Sequence, residues 1–370
     1  MTKALFWQVM TAAVLLLTLS GGAGAATLVV VNKAEATVSL VDIASGEVRA
    51  TLPVGEGPHE VGVSPDGRLA LVGNYGVRNT PGSSLTLIDI PSARVVRTID
   101  LGEYRRPHGI VWLGDGRRAV VTAETNKALL VVDTTTGEVV AAVDTDQEVS
   151  HMVAVTPDGG RAFVTNIRSG SVTVVDLETN TRVANIPTGE GAEGVAVTPD
   201  GATVWVTNRA ADTVTVLDAR TLEVVAELES PSFPIRAMAT SDGRRVLVTN
   251  ARSGDLSVFD VAGRSLERRM SLQVEASHVE GRLFGDTFGD SSVPIGILIS
   301  PDDKLAFIAH SNADQITVVD LKSWSIAGAL TAGKEPDGLG FSPHSVPVRP
   351  VNGAVMLAPR CGSKGAGGRR

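Results

Sequence analysis

The segment TPDGGRAFVTNIRSGSVTVVDLETNTRVANIP, residues 156–187, contains the three features that decide the fold of this chain. It begins with a Pro-Asp-Gly turn, continues through a strand that ends in Val-Thr-Asn, and reaches a second strand that ends at Asp176. Apolar residues rich in valine alternate with polar ones at a period of two, which is typical of β-strands. The segment therefore predicts antiparallel strands joined by short turns.

The same features recur along the chain at intervals of about 42 residues. The third position of the turn is occupied in order by Asp66, Asp115, Asp158, Asp200, Asp242, Asp302 and His344. The second marker ends at Asn32, Asn74, Ala123, Asn166, Asn208, Asn250 and His310. The next strand ends at Asp42, Asp89, Asp133, Asp176, Asp218, Asp260 and Asp320. Each repeat therefore holds four short strands, which is the content of one propeller blade.

The two ends of the repeat array predict how the ring closes. The first repeat opens at its second strand, residues 27–32, whereas a seventh first strand, residues 336–342, stands alone near the C-terminus. Pairing of these two strands would complete one blade from both ends of the chain and remove its exposed edges. We therefore predict an all-β, seven-bladed β-propeller that forms one domain over residues 26–345.

The repeat letters carry a resemblance to a known family. The markers FVTN, WVTN and LVTN, each preceded by a TPDG-like turn, resemble the YVTN-type propeller repeat of bacterial secreted and surface proteins, which includes the YncE-like family. The motif covers nearly all of the chain after residue 26, but it consists of turn and packing residues. In these letters the glycine accepts a positive φ, and we expect the asparagine to cap a loop through its own backbone. The resemblance implies a fold and leaves the activity open.

The two ends of the chain do not contain the repeat pattern. Lys3, the apolar run 12–19 and the small residues 23–25 have the form of a secretory signal peptide, so we expect residues 1–25 to be cleaved and the protein to be periplasmic or secreted. No later stretch is long and apolar enough to cross a membrane. Residues 346–370 are glycine-rich and basic, and we expect them to be disordered. The single cysteine, Cys361, lies in this tail and excludes an intrachain disulfide or a CxxCH haem attachment.

The composition narrows the classes of partner. The 370 residues are 43% hydrophobic and carry a formal net charge of -8, which suits a large folded core and disfavours a nucleic-acid-binding surface. We expect a monomer without nucleic acid as a partner. No nucleophile elbow, HExxH pair, Walker loop, dinucleotide fingerprint or EF-hand loop occurs in the sequence.

Differences between the repeats indicate where function resides, because the shared letters belong to the scaffold. Two loops carry extra residues, within 74–84 and within 268–294, and both loop classes emerge on one face of a propeller. The longer insertion brings His278, Glu280, Arg282, Phe284, Asp286, Phe288 and Asp290. It is long enough to cover the channel mouth, to present its phenylalanines to a partner, or to remain a plain surface loop.

The start of each innermost strand gives the second difference, because these strands line the central channel. The position seven residues before the turn aspartate reads His59, His108, His151, Glu193, Ile235, Ile295 and Asp337 around the ring. In one interpretation, His59, His108, His151 and Glu193 converge on a divalent metal ion. In the other, polar side chains solvate the mouth and pair with neighbouring groups. Both interpretations remain open.

Cations on the same face extend the candidate site. They are Lys33, Arg78, Arg105, Arg106, Lys127, Arg168, Arg209 and Arg252, together with His310 at a position where other repeats have asparagine. Of these, we select Arg168, Arg209, Arg252 and His310 as ligand-binding candidates beside the polar ring positions. They could hold an anionic group through charge-assisted hydrogen bonds, or each could be solvated or paired with a neighbouring carboxylate.

Three functions follow from these candidates. The first is a non-enzymatic exported propeller that binds a protein partner or a small ligand at the channel mouth, on the face that carries the two insertions. The second is a metal-dependent lactonase-like hydrolase, because some propellers that resemble this one activate water with a divalent ion at the channel mouth. The third is a periplasmic partner of a redox enzyme. The sequence favours the first and assigns no catalytic residue.

Overall fold

A computed structural model describes residues 26–277, 279–282 and 284–347. The signal peptide proposed for residues 1–25 lies outside these residues, as do His278, Cys361 and almost all of the proposed tail. Of that tail, Val346 is buried in the hydrophobic core at the seam between blades 1 and 2. The described part of the chain contains no helix long and apolar enough to span a bilayer.

The described residues form seven sheets of four antiparallel strands, which confirms the seven-bladed propeller class. Blade 1 comprises β1 (Thr27–Asn32), β2 (Thr37–Asp42), β3 (Val48–Pro53) and β28 (Pro336–Ser342). Blades 2 and 3 comprise β4 (Pro58–Val63), β5 (Leu69–Val77), β6 (Thr80–Asp89), β7 (Arg94–Asp100), β8 (Pro107–Trp112), β9 (Arg118–Ala123), β10 (Ala128–Asp133) and β11 (Glu138–Asp144). Blades 4 and 5 comprise β12 (Ser150–Val155), β13 (Arg161–Asn166), β14 (Ser171–Asp176), β15 (Thr181–Pro187), β16 (Ala192–Val197), β17 (Thr203–Asn208), β18 (Thr213–Asp218) and β19 (Val224–Glu229). Blades 6 and 7 comprise β20 (Pro234–Ala239), β21 (Arg245–Asn250), β22 (Asp255–Asp260), β23 (Ser265–Ser271), β24 (Pro294–Ile299), β25 (Leu305–His310), β26 (Gln315–Asp320) and β27 (Ser325–Leu330).

Blade 1 contains strands from both ends of the chain. Strand β28 pairs antiparallel with β1, with Leu28 opposite Phe341 and Val29 opposite Gly340. Outside the strands, the described residues include two single-turn 3₁₀ segments, Lys33–Glu35 after β1 and Glu124–Asn126 after β9. The second of these segments places a carboxylate beside the channel mouth.

The recurring aspartates terminate strands by capping tight turns. In blade 2, Asp66 Oδ1 accepts hydrogen bonds from Ser64 Oγ at 2.6 Å and from the Arg68 amide at 3.0 Å, while Gly67 adopts a φ of +74°. At the end of β2, Asp42 Oδ1 accepts the Ser45 amide at 2.8 Å. The repeat is therefore held by side-chain caps of the kind that these turn residues favour.

The recurring asparagines act differently from our expectation. Instead of capping a loop through its own backbone, the Asn208 side-chain amide donates to Thr213 Oγ1 at 3.0 Å and to Thr215 Oγ1 at 2.8 Å on the adjacent strand. Asn166 donates to Ser171 Oγ and Thr173 Oγ1 in the same way. The asparagine is the last residue of its strand, so its side chain remains within the sheet and joins the second strand to the third.

Hydrophobic cores fill the seams between neighbouring blades. In the seam between blades 5 and 6, the fully buried Trp205 packs with Phe259, Val216 and Val248. The shorter insertion extends the hairpin of strands β5 and β6 to the turn between Val77 and Thr80, so it lengthens two strands instead of forming a loop. The longer insertion connects β23 to β24, and its described residues form no regular strand.

Candidate functional site at the channel mouth

A cavity of about 480 Å³ lies where the innermost strands begin. All seven ring positions predicted from the repeat line it: His59, His108, His151, Glu193, Ile235, Ile295 and Asp337. The cavity wall also includes side chains that follow the second marker of the repeat, among them Tyr75, Glu124, Arg168 and Arg209. The structure therefore brings the chemically rich positions of seven separate repeats into one pocket.

Threonines of the second marker hold several ring positions in place. Thr122 Oγ1 donates to the carbonyl oxygen of His151 at 2.6 Å, and Thr165 Oγ1 donates to that of Glu193 at 2.5 Å. Each bond joins one blade to the first strand of the next. The Val-Thr-Asn marker is therefore a scaffold feature that fixes the backbone beneath the site.

Four aromatic or imidazole rings line one side of the cavity. The ring centroids of His108 and His151 are 3.6 Å apart with an interplanar angle of 32°, and those of His59 and His108 are 5.0 Å apart. The Tyr75 ring packs 4.6 Å from His59. His59 Nδ1 lies 3.0 Å from Asp337 Oδ2, so the closing aspartate of the ring orients the first histidine.

Carboxylates flank the third histidine on both sides. His151 Nδ1 forms a short hydrogen bond with Glu124 Oε1, and the Tyr75 hydroxyl donates to Glu124 Oε2 at 2.6 Å. His151 Nε2 lies 3.3 Å from Glu193 Oε1, within ion-pair distance but outside hydrogen-bond geometry. Glu124 therefore links blade 2, through Tyr75, to blade 4, through His151.

An arginine crosses the channel beside this group. Arg236, the third residue of β20, donates through Nη1 to Glu193 Oε1 at 2.9 Å. Its Nη2 donates to Glu60 Oε1 at 2.8 Å, which joins blade 6 to blade 2. Arg209 also binds Glu193, so two guanidinium groups hold that carboxylate. Ion pairs that join blade 6 to blades 2 and 5 therefore span the channel below its mouth.

Burial and neighbouring charges set the protonation of the site. Burial lowers the pKa of His59 well below its usual range, with Lys33 adding to the effect, and burial beside His151 does the same to the pKa of His108. Burial also acts to lower the pKa of His151, but Glu124 and Glu193 outweigh it and raise that pKa. Burial would raise the pKa of Glu193, yet Arg209, His151 and Arg236 hold it well below its usual range.

Three buried atoms of the site lack a hydrogen-bond partner among the described residues. They are His108 Nδ1, His151 Nε2 and Asp337 Oδ1. The three residues are between 1% and 8% exposed, so water does not freely reach them. Because buried polar atoms in native proteins are generally hydrogen-bonded, these atoms mark a place where a ligand would complete the site.

The long insertion covers the apolar part of the ring. Phe284 and Phe288 pack together with Phe233 over the buried Ile235 and Ile295. Phe284 also lines the mouth cavity. Two further contacts anchor the insertion to blade 7: Arg282 pairs with Asp314 at 2.8 Å, and Asn312 Nδ2 donates to the Gly285 carbonyl at 2.9 Å. The two apolar ring positions thus pack against the insertion, while the polar ring positions face the cavity.

The cationic candidates occupy different environments. Arg209 is partly buried against Glu193 and the Phe233 ring. Arg168 reaches the cavity wall with its side chain 75% exposed and lies 3.5 Å from Glu148. Arg252 is half exposed and stacks on Phe233 and Phe288, so it contacts the insertion instead of the cavity. Arg209 is therefore the cation most closely integrated with the ring.

The structure places His310 away from the mouth, which corrects its assignment as a ligand-binding candidate. His310 is fully buried at the end of β25, with Nδ1 2.8 Å from Ser292 Oγ and Nε2 2.9 Å from Thr317 Oγ1. These contacts replace those that asparagine makes in other blades. The His310 side chain thus cross-links the sheet. Its position in the repeat, taken alone, predicted a cation at the mouth of the channel.

Replacing His310 with asparagine is expected to reduce the loss of stability at acid pH. Burial lowers the pKa of His310 to about 3, whereas the unfolded histidine titrates near pH 6.5. Between these values the unfolded chain binds the extra proton, so stability falls as the pH drops from about 6.5 toward 3. Between pH 7.5 and 5 the parent should lose about 2 kcal/mol more than His310→Asn, measured by urea unfolding.

The exposed His344 supplies the matched control for this pH experiment. His344→Gln removes one imidazole from the opposite face, where Nε2 contacts only the Asp66 carbonyl at 2.9 Å. It should retain the pH dependence of the parent. Equal pH dependence in His310→Asn and the parent would contradict the burial of a neutral His310.

Sequence reasoning missed Glu60, Arg236 and Glu124 as functional positions. The signal for the first two lies one residue after the ring position, which reads Glu60, Gly109, Met152, Gly194, Arg236, Gly296 and Gly338. Glu60 and Arg236 carry opposite charges at a position where four of the other five repeats have glycine. Glu124 occupies the residue after the second marker, and no pattern in the sequence connects it with His151.

Two family models match consecutive parts of the chain, which overlap at residues 114–118. A model described as YNCE-like beta-propeller matches residues 20–118, and one described as Cytochrome D1 heme domain matches residues 114–261. No curated protein matches the chain significantly. With the seven-bladed fold, the first match confirms the YncE-like repeat predicted from the sequence.

Solved structures share the fold at low sequence identity. Hydrazine synthase of Kuenenia stuttgartiensis aligns with a TM-score of 0.64 and 17% identity over 76% of this chain and 88% of its own. The periplasmic gluconolactonase PpgL of Pseudomonas aeruginosa aligns with 0.67 and 19% over 87% and 99%. The dihydro-heme d1 dehydrogenase NirN, solved in complex with DHE, aligns with 0.59 and 16% over 85% and 74%. At these identities the likeness concerns the fold alone.

Proposed function

We propose that this chain, a YncE-like propeller repeat protein, is an exported binding protein that holds a small polar ligand at the mouth of its central channel. The observation that carries the proposal is the set of three buried, unpartnered polar atoms around a cavity of about 480 Å³. A cavity of that size suits a small molecule. The cover formed by Phe284 favours a small ligand over a protein partner as the occupant of the mouth.

The walls of the cavity indicate the chemistry of the ligand. One side presents imidazoles and the guanidinium of Arg209, and the other presents Ile235, Ile295 and Phe284. Charged groups that are already fixed by partners bind a ligand without much loss of side-chain entropy. A compact molecule with carboxylate or hydroxyl groups at one end and an apolar face at the other fits this division.

Export follows from the amino-terminal segment, whose sequence has the form of a signal peptide. The periplasmic address of PpgL, one of the structures with this fold, is consistent with the same compartment. Secretion of a fusion between residues 1–30 and a reporter enzyme would test this part of the proposal, and retention of the reporter in the cytoplasm would contradict it.

Loss of ligand binding in two site variants tests the proposed function. A library of small carboxylic acids, sugar acids and lactones is screened by thermal shift, since a ligand that binds only the folded state raises the melting temperature. For compounds confirmed by calorimetry, His108→Ala and Arg209→Ala should each raise the dissociation constant by about 10-fold or more, equivalent to about 1.4 kcal/mol.

Arg220→Ala is the matched control, because Arg220 is exposed on the opposite face of the propeller, beside Asp200 and Gly201. It should bind the same compounds with unchanged affinity. The proposal fails if no compound binds, or if the compounds that bind are indifferent to both site variants.

A hydrolase is the second candidate, favoured by the proximity of His108, Glu124 and His151. Two imidazoles and one carboxylate are a ligand set that in other enzymes holds a metal ion and activates water. Turnover of lactones by the purified protein in the presence of divalent ions would support this candidate, and absence of turnover with every ion tried would remove it.

The haem implied by the match to residues 114–261 finds a poorer fit at the mouth. That segment supplies His151, Glu193 and Arg236, whereas His59, His108 and Asp337 lie outside it. The bridge between Arg236 and Glu60 spans the channel from blade 6 to blade 2, and the His108 and His151 rings are in contact, so these groups are already engaged with one another. We therefore assign no step to haem and leave a redox partnership as the less supported alternative.

A further inference from the structure

Three buried side chains at the seam between blades 3 and 4 point their donor atoms at one another. His108 begins the first strand of blade 3, Glu124 follows the second strand of that blade, and His151 begins the first strand of blade 4. One donor atom from each lies within 4.8 Å of the other two, and the three residues are at most 8% exposed. No other such group occurs in the part of the chain that the structure describes.

We propose that His108, Glu124 and His151 bind one divalent transition-metal ion, which forms the base of the ligand cavity. The inference rests on the proposed function, because the ion would share that cavity with the small ligand. Two imidazoles and one carboxylate suit Zn²⁺ and neighbouring first-row metals. Such a set leaves coordination positions open toward the cavity, where a carboxylate or hydroxyl of the ligand can bind.

The groups behind the three ligands support this assignment. Residues that ligate metals are usually oriented by hydrogen bonds from a second layer of side chains. Here the Tyr75 hydroxyl donates to Glu124 Oε2 at 2.6 Å, and Glu193 lies 3.3 Å from His151 Nε2. Glu124 therefore already has a positioning partner at Oε2. A metal ion bound at Glu124 Oε1 would replace its hydrogen bond with His151 Nδ1, while Glu193 stays within ion-pair distance of His151 Nε2.

The free donor of His108 gives the second line of support. His108 Nδ1 is buried and finds no hydrogen-bond partner among the described residues. Donors bound to one ion at roughly 2.1 Å lie no more than about 4.2 Å apart. The present spacing of up to 4.8 Å would close through a small rotation of an imidazole.

The remaining candidates from the sequence are engaged elsewhere. His59 Nδ1 lies 3.0 Å from Asp337 Oδ2, and the two oxygens of Glu193 contact Arg209 and Arg236. Releasing Glu193 would leave buried guanidinium groups without partners, which is costly. The structure therefore favours Glu124 over Glu193 as the carboxylate ligand, with Glu193 as a positioning residue.

Titration of the metal-free protein tests the site. The mature chain is stripped with a chelator, and ZnCl₂ or CoCl₂ is added alone, with binding followed by calorimetry and by the visible absorption of Co²⁺. One equivalent should bind with a dissociation constant below about 1 µM, and bound Co²⁺ should show the bands of nitrogen and oxygen ligation. His151→Ala and Glu124→Gln should weaken binding by about 100-fold or more, and Tyr75→Phe by about 10-fold.

Two comparisons separate metal ligation from general damage. His310→Asn removes a buried histidine in blade 7 and should leave metal affinity unchanged. Each variant is also checked by circular dichroism and thermal melting. If His151→Ala does not fold, the near-isosteric Glu124→Gln decides the question alone, because it keeps the shape of the side chain.

The outcomes distinguish this inference from the proposed function. If the protein takes up neither ion, or if folded Glu124→Gln and His151→Ala bind as tightly as the parent, the metal site is overturned. Library compounds that still bind in an Arg209-dependent way would then leave the proposed function standing. If one ion binds at these residues but no compound binds the metal-free or metal-loaded protein, the metal site stands and the proposed function fails.

Discussion

Arg236→Met is expected to lower the free energy of unfolding by about 3–5 kcal/mol, the usual cost of removing one partner from a buried ion pair. The Arg236 side chain is only 7% exposed and pairs with Glu60 at 2.8 Å and with Glu193 at 2.9 Å. Methionine preserves much of the apolar stem but leaves the Glu60 carboxylate, whose side chain is only 13% exposed, without its cation. Urea unfolding followed by tryptophan fluorescence measures the change.

Two further variants separate loss of the charge pair from loss of packing. Adding Glu60→Gln to Arg236→Met removes the unpaired charge and should recover roughly half of the lost stability, because Glu193 keeps Arg209. Arg245→Met removes an arginine paired with Glu267 at the surface, where the side chains are 34% and 25% exposed. It should cost less than about 1 kcal/mol. Equal costs for Arg245→Met and Arg236→Met would show that the bridge across the channel is not a main support of the ring.

The repeat made the fold predictable because its signals are local. A turn aspartate, a positive-φ glycine and alternating valines act within a few residues of one another, as the caps at Asp42 and Asp66 show. Four strands per repeat then leave few arrangements other than a ring of blades. The role of the asparagines was mispredicted because their partners, such as Thr215 for Asn208, lie on the next strand and not in the following loop.

The candidate site was predictable only where it follows the repeat. One position per repeat identified seven of the residues that line the mouth, including His59 and Asp337. Contacts between residues at different positions of the repeat could not be predicted from the sequence, because they depend on where the side chains of separate blades meet. The bond between Tyr75 and Glu124 and the bridge from Arg236 to Glu60 are of this kind, since the latter joins residues 176 positions apart.

The covering of the mouth illustrates the same limit. The sequence indicated an insertion of suitable length and a ring that turns apolar at Ile235 and Ile295. The two observations belong together, since Phe284 and Phe288 of the insertion pack on those isoleucines. An apolar interruption in a polar ring, opposite an insertion that carries aromatic residues, is therefore a sequence signal for a docked cover.

Gly296→Ala is expected to destabilise the protein by about 3 kcal/mol or more and to weaken ligand binding at the mouth. A methyl group on Gly296 would lie 2.0 Å from the carbonyl oxygen of Asp337, a contact that only movement of the backbone can relieve. That movement would separate β24 from β28 and displace the Asp337 side chain from His59, which it contacts at 3.0 Å. Urea unfolding and calorimetry with the same ligand measure the two effects.

Glycines occupy the equivalent position in other blades, and replacing each with alanine is expected to destabilise the protein to a different degree. Gly194 approaches the Ile235 carbonyl oxygen, with 2.6 Å to an added methyl group, so Gly194→Ala should also destabilise the protein but by less than Gly296→Ala. Gly114→Ala is the control, because no atom lies within 4 Å of its added methyl group and the change should cost within about 0.5 kcal/mol. A tolerated Gly296→Ala would mean that the inner strands can move apart freely. Close packing of neighbouring blades would then not be what sets the spacing of His59 and Asp337 at the mouth.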